Sequence, residues 1–142
     1  MKIIGVIAAA AFAVSVLAFS PAQAGSAKPP ADATPPEGVT VLSEDELAAV
    51  FVENTLFGLD YGKKYWEYYK PNGSIKGLWD RDKYRGKWSI ASGMFCLDYQ
   101  GTGYDGCWYV QLLEGNKLQW YKPDGTDDGE DGEMLEGNPK NL

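Results

Sequence analysis

Histidine is absent from the 142 residues. That removes the usual general base near neutral pH, the imidazole metal ligand, and the Ser-His and Cys-His pairs of nucleophilic catalysis. Carboxylates remain for acid–base work. Asp80, Asp82, Asp98 and Asp105 are candidates for the pair that hydrolyses a glycoside, but each stands near a turn, where aspartate is expected for its local backbone hydrogen bonds. The stretch from Asp124 to Glu136 holds seven carboxylates in 13 residues and no basic residue. Within it, Asp124-x-Thr126-x-Asp128-Gly129 matches the first half of a calcium loop. The twelfth position, where a bidentate Glu is needed, is Leu135, and Glu136 comes one residue late. A solvated acidic loop is the plainer expectation. No metal, no cofactor and no catalytic residue is assigned, and the many glycines form no phosphate-cradling loop.

Two other sets of residues carry chemistry. Cys96 and Cys107 are the only cysteines, and in an exported chain such a close pair is expected to be a disulfide. Closing so short a loop restricts the unfolded chain by roughly 2–3 kcal/mol in the chain-entropy account. A redox-active pair would want a tighter Cys-x-x-Cys spacing. Tyr65, Tyr69, Tyr109 and Tyr121 alternate with tryptophans in their strands. If the indoles face the core, these four phenols lie on the outer face, or the roles are exchanged. Exposed tyrosine suits binding, because it offers a flat apolar body, a polar tip and few rotors. These four are therefore the candidate ligand-binding residues.

The elements that would position them follow from the N-terminus onward. Lys2, the uncharged apolar run Ile3 to Phe19, and Ala22-Gln23-Ala24 read as a cleavable signal peptide over residues 1–24. A membrane-spanning helix would want roughly 20 apolar residues, so no membrane insertion is expected after cleavage. No cysteine follows the cleavage pattern to carry a lipid. Residues 25–42 hold four prolines in GSAKPPADATPPEG and read as a flexible Pro-rich linker. Residues 43–142 form a single domain. In it, Ser43 and Glu46 make a capping box for a short helix whose buried stripe is Leu47, Val50 and Phe51.

From Thr55 onward turn signals recur every eight to twelve residues or so, between runs rich in aromatic and β-branched residues. The fold class expected is mainly β: a small antiparallel meander of six to eight strands closing into a barrel or curled sheet. Register can be checked by arithmetic. Pairing Cys96 with Cys107 sets Phe95 opposite Trp108. A two-residue turn at Ser92-Gly93 pairs Ile90 with Phe95 and Trp88 with Leu97. A three-residue loop at 114–116 pairs Leu112 with Leu118 and Val110 with Trp120. All these residues then share one face, and the disulfide falls on the other. The Pro71 hairpin is ambiguous, since Gly73 as a bulge residue would shift its register by one. Tyr69-Lys70-Pro71-Asn72-Gly73 and Tyr121-Lys122-Pro123-Asp124-Gly125 form a weak repeat, for which shared turn chemistry is the simpler explanation.

Several landmarks occur in order: Asn54-Thr55-Leu56-x-Gly58, Tyr69-x-Pro71-Asn72-Gly73, Gly86-x-Trp88, Cys96-Leu97-Asp98-Tyr99, Cys107-Trp108 and Gly137-Asn138-Pro139. Over about residues 43–142 this pattern is similar to a family of small exported proteobacterial proteins of unknown function. The resemblance implies a shared β fold and a periplasmic location, and it carries over no activity and no site residues. Gly86-Lys87-Trp88 also looks like the Gly-x-Trp strand of lipocalins, where it opens the barrel. Only 54 residues follow it here, so the likeness is to a strand start. Barrel-type inhibitors of secreted metalloproteases look similar in broad plan, but no trunk segment for a protease cleft is recognisable.

The net charge is −7, which disfavours nucleic acid and anionic membrane surfaces as partners. It is unevenly spread: residues 63–87 carry +5 and residues 88–142 carry −7. The expectation is an exported, non-catalytic binding module for a small molecule or an exported protein. The alternatives are an inhibitor of an exported protease and a carboxylate-based hydrolase.

Overall fold

The structure is a computed structural model and describes residues 27–99 and 104–142. The expected signal peptide lies outside the described residues. Helix α1 (Glu44–Phe51) is followed by eight strands: β1 (Thr55–Asp60), β2 (Lys63–Tyr69), β3 (Ser74–Trp79), β4 (Asp82–Ala91), β5 (Met94–Asp98), β6 (Gly106–Leu112), β7 (Lys117–Tyr121) and β8 (Asp127–Leu135). Each pairs antiparallel with the next, and β8 pairs with β1, so the meander closes into a barrel.

The register is the one expected from the turns. Phe95 pairs with Trp108 and Cys96 with Cys107. Ile90 pairs with Phe95 and Trp88 with Leu97, while Val110 pairs with Trp120 and Leu112 with Leu118. The disulfide Cys96–Cys107 joins neighbouring strands. At the Pro71 hairpin Gly73 takes φ +85° and Lys70 N–H donates to the Ser74 carbonyl, so three residues form the loop and Tyr69 faces Ile75. Pro123-Asp124-Gly125 repeats this loop: Gly125 has φ +85°, and Asp124 accepts from the Thr126 backbone and hydroxyl as Asn72 does from Ser74. The sequence repeat is thus two copies of one turn.

Helix α1 closes one end of the barrel. Ser43 and Glu46 satisfy each other's backbone N–H groups as a capping box. Leu47 and Phe51 are fully buried. The Phe51 ring stacks on Phe95 at 3.9 Å and meets Tyr69 edge-on at 5.3 Å. Around these rings Ile75, Val110 and Leu118 complete an apolar core.

Two segments depart from expectation. Residues 27–42 are extended but pack as a strap and do not behave as a free linker. Thr34 N–H donates to the Pro123 carbonyl and Leu42 N–H to the Val110 carbonyl. Ala33, Val39 and Val41 cover Met94, Cys96, Cys107, Tyr109 and Tyr121 on the outer face. Small and β-branched residues among the prolines supply the apolar contacts that a purely polar linker would lack. The acidic stretch is likewise no loop, because most of it is β8. Barrel closure gives its backbone partners on both sides, and positive φ at Gly129 and Gly132 accommodates the register shifts against β7.

Inside the barrel, glycines stand opposite tyrosines. Gly58 pairs with Tyr65 and Gly77 with Tyr84. A Cβ at Gly58 would lie 2.5 Å from the Tyr65 ring, and one at Gly77 would lie 2.2 Å from the Tyr84 ring. Each phenol ring therefore lies flat over bare backbone, an arrangement that pins register in curved sheets. Two outcomes are expected. Gly77→Ala should lower stability by about 1–3 kcal/mol through overpacking against Tyr84, read from the urea midpoint. A chain lacking residues 25–41 should show a lower midpoint and stronger binding of a hydrophobic dye, because Tyr109, Tyr121 and Met94 become exposed. An unchanged midpoint would mean that the strap contributes nothing.

Candidate functional site

Among the described residues, the end of the barrel away from α1 holds a cavity of about 700 Å³, reached by Asp60 of β1, Trp79 of β3, Asp82 of β4, Asp105 just before β6 and Asp128 of β8. Its walls carry Tyr65, Trp79, Tyr84, Tyr99, Trp108 and Trp120. Strand alternation puts these rings inward from β2 to β7.

Glu67 lies at the base of this cavity. It is the middle inward residue of β2, between Tyr65 and Tyr69, and only 6% of its surface is exposed. Tyr69 donates to its Oε2 at 2.6 Å and Tyr84 to its Oε1 at 2.7 Å. Tyr99 donates to both oxygens, at 2.7 and 2.9 Å. A carboxylate offers about four lone-pair sites, and here each oxygen receives two contacts. Above this cluster, Tyr65 donates to Asp131 Oδ2 at 3.0 Å, and Trp120 Nε1 donates to the Asp131 carbonyl at 2.9 Å.

Burial pushes the Glu67 carboxyl up from its ordinary range, opposed by the hydrogen bonds from Tyr69, Tyr84 and Tyr99. Burial also raises Asp131, with the Tyr65 bond pulling the other way and the Asp60 charge adding to the rise. Tyr65, Tyr69, Tyr84 and Tyr99 are raised, first by burial and then by neighbouring carboxylates. They stay protonated and act as donors to Glu67 and Asp131.

The four tyrosines expected to form one binding surface are split. Tyr65 and Tyr69 point inward, where Tyr65 lines the cavity and Tyr69 lies beneath it in the core. Tyr109 and Tyr121 point outward and are covered by the strap, with the Tyr121 hydroxyl donating to Gln111. In β6 and β7 the tryptophans face inward and the tyrosines outward, whereas β2 has the opposite phase: its tryptophan, Trp66, faces out and carries Lys140 over its ring.

Of the four aspartates, Asp82 and Asp105 line the cavity. Asp105 also accepts from the Tyr99 backbone N–H at 2.6 Å. Asp80 sits at the β3–β4 turn beside Lys63, and Asp98 is buried on the outward face of β5. They are not gathered as a set. In the acidic stretch, Asp124 holds its hairpin turn, and Asp128 accepts from Trp108 Nε1 and pairs with Lys122. Among the described residues no group of three or more metal-ligating side chains converges.

Glu67, Tyr84, Tyr99 and Asp131 escaped the sequence reading. A signal for Glu67 was present in Tyr65-x-Glu67-x-Tyr69, a charged residue at period two between two aromatics on one strand face. No family model matches the chain, and neither a curated protein nor a solved structure is similar to it.

The raised Glu67 carboxyl fixes a pH dependence. The native state holds this proton where the unfolded chain releases it. The contribution is therefore fully present below the ordinary carboxylate range and is lost as pH rises through the native value. Glu67→Gln lacks that loss. Urea midpoints of variant and native protein should diverge in favour of Gln as pH rises above the ordinary carboxylate range. Parallel curves would show that Glu67 titrates as it does in the unfolded chain.

Proposed function

We propose that this chain is a non-catalytic binding module that holds a small molecule in the mouth of its barrel after export to the periplasm. The observation that carries the reading is the open cavity of about 700 Å³ walled by aromatic rings. An eight-stranded barrel has an interior just wide enough to be filled by side chains or to hold one small ligand. Among the described residues the α1 end is filled and the opposite end is not. The volume falls within the roughly 300–1,000 Å³ of small-molecule sites, which are mostly apolar with a few placed polar groups.

The chemistry of Glu67 argues for binding over catalysis. A general base needs a free lone pair within reach of the proton that it takes. Both Glu67 oxygens are already occupied by phenol hydroxyls, so this carboxylate organises the wall. Export is supported by the Ala22-Gln23-Ala24 pattern and by the Cys96–Cys107 disulfide, since disulfides persist in oxidising compartments.

Native mass spectrometry of protein recovered from the periplasm, together with thermal shifts across a chemically broad library, tests this reading. A co-purified small molecule or a ligand-dependent rise in Tm is expected. Leu97→Trp, which fills the cavity from the β5 wall, should abolish the rise with the far-ultraviolet circular dichroism unchanged. A clean apo mass with no shift across the library would overturn the reading.

A further inference from the structure

We infer that the molecule taken by this cavity is an organic cation, a protonated or quaternary amine seated between the aromatic walls and the phenol oxygens of Tyr65 and Tyr84. This rests on the binding reading above and specifies its ligand class.

Three independent features of the cavity agree. The first is the ring lining. The faces of Trp, Tyr and Phe carry negative quadrupole charge, and an ammonium held within about 6 Å of a ring centroid gains roughly 0.5–2 kcal/mol. Trp79, Trp108 and Trp120 surround this cavity together with four tyrosines, and the Trp79 ring already holds a cation, with Lys63 Nζ 4.3 Å from its centroid.

The second feature is the direction of the hydrogen bonds. A phenol has one proton to donate. Tyr65 gives its proton to Asp131, while Tyr84 and Tyr99 give theirs to Glu67. Each of these oxygens is left as an acceptor. The indole N–H groups of Trp108 and Trp120 are likewise spent, on Asp128 and on the Asp131 carbonyl. A ligand must therefore bring donors, which an ammonium does. On the other side stand the Arg85 guanidinium and the buried, unpartnered Nε1 of Trp79. They would serve one hydroxyl or carbonyl on the same molecule.

The third feature is charge. Asp60, Glu67, Asp82, Asp105, Asp128 and Asp131 line the cavity, against Arg85 alone among its lining residues. Lys122, 3.7 Å from Asp128, offsets one of them at the rim. A mouth lined by one sign of charge attracts the opposite sign, and because Asp60, Asp82, Asp105, Asp128 and Asp131 are exposed this attraction is screened by salt. An anionic ligand would meet this field as repulsion, and a neutral one would gain nothing from it.

The test is a matched panel on the full exported chain. Phenethylamine, choline and a polyamine form the cationic set. Phenethyl alcohol and the neutral carbon isostere of choline form the second set, and hydrocinnamate and other carboxylates of like size form the third. Calorimetry and thermal shift at low and high salt give the affinities. The expected result is that the panel's binders are cations, tighter than their neutral counterparts by about tenfold or more and weakened by salt. Asp131→Asn should erase most of that preference while leaving the melting transition cooperative. Glu67→Gln should reduce it less, since Glu67 acts through the phenols. Preferential binding of neutral or anionic members would overturn the cation inference and leave the binding reading standing. Binding by no member of any set would overturn both. A cation preference that Asp131→Asn leaves untouched would place the ligand elsewhere and also overturn it.

Discussion

A carboxylate taken out of water costs several kcal/mol unless its lone pairs are satisfied. The interior of this barrel is arranged around one such group. Among the described residues no lysine or arginine forms an ion pair with Glu67, and its partners are three phenol hydroxyls converging from β2, from β4 and from Tyr99, the residue after β5. Three rigid rings aimed at one point demand a fixed separation between strands, and the glycines make that separation possible. Tyr84 reaches Glu67 because Gly77, directly opposite, has no Cβ to lift the ring away. Gly86 does the same for Tyr99, since a Cβ there would lie 2.7 Å from its ring. Hydrogen-bond geometry and backbone spacing are thus one constraint seen from two sides.

The same constraint explains the landmarks scattered along the sequence. Asn54 and Thr55 begin β1, and Gly137 follows β8, yet they meet: Asn54 Oδ1 accepts from the Gly137 N–H at 3.0 Å, and Thr55 Oγ1 donates to the Gly137 carbonyl at 2.6 Å. These bonds latch the seam where the first and last strands close the barrel. Gly86 makes room for Tyr99, and Trp88 Nε1 donates to the Lys70 carbonyl at the β2–β3 hairpin. Asn54, Thr55, Gly86, Trp88 and Gly137 are thus architectural. A pattern built from them conveys fold and is silent on ligand.

What was legible in the sequence divides along the same line. Local rules fixed the helix cap, the two- and three-residue turns and the pairing from β4 to β7, because each needs only neighbouring residues and one cysteine pair. The phase of β2 is not legible, since Tyr65, Trp66, Tyr68 and Tyr69 are all aromatic and alternation among them says nothing about which face is inward. Glu67 breaks that degeneracy only when burial of a charge is accepted as a signal and not an obstacle. The strap and β8 were missed for another reason. Proline-rich and acidic compositions describe how a segment behaves alone, and tertiary pairing overrides them. Val39 and Val41 find an apolar face on β5–β7, and the acidic strand finds β1 and β7.

Along the barrel axis the interior passes from rings packed on rings, through a satisfied carboxylate, to an open mouth lined with aspartates. This gradient separates two demands that conflict in a single core. The rings of Phe51 from α1 with Phe95 and Tyr69 need no water, the Tyr69 hydroxyl being satisfied by Glu67, and they contribute stability by burial and ring stacking. With stability placed there, the mouth need not be filled by side chains. Asp60 and Asp131 can then remain near one another in a partly enclosed space, at an electrostatic cost that a packed core would not tolerate. Burial and Asp60 raise Asp131, which is the local expression of that cost. A cation entering the mouth would offset that repulsion.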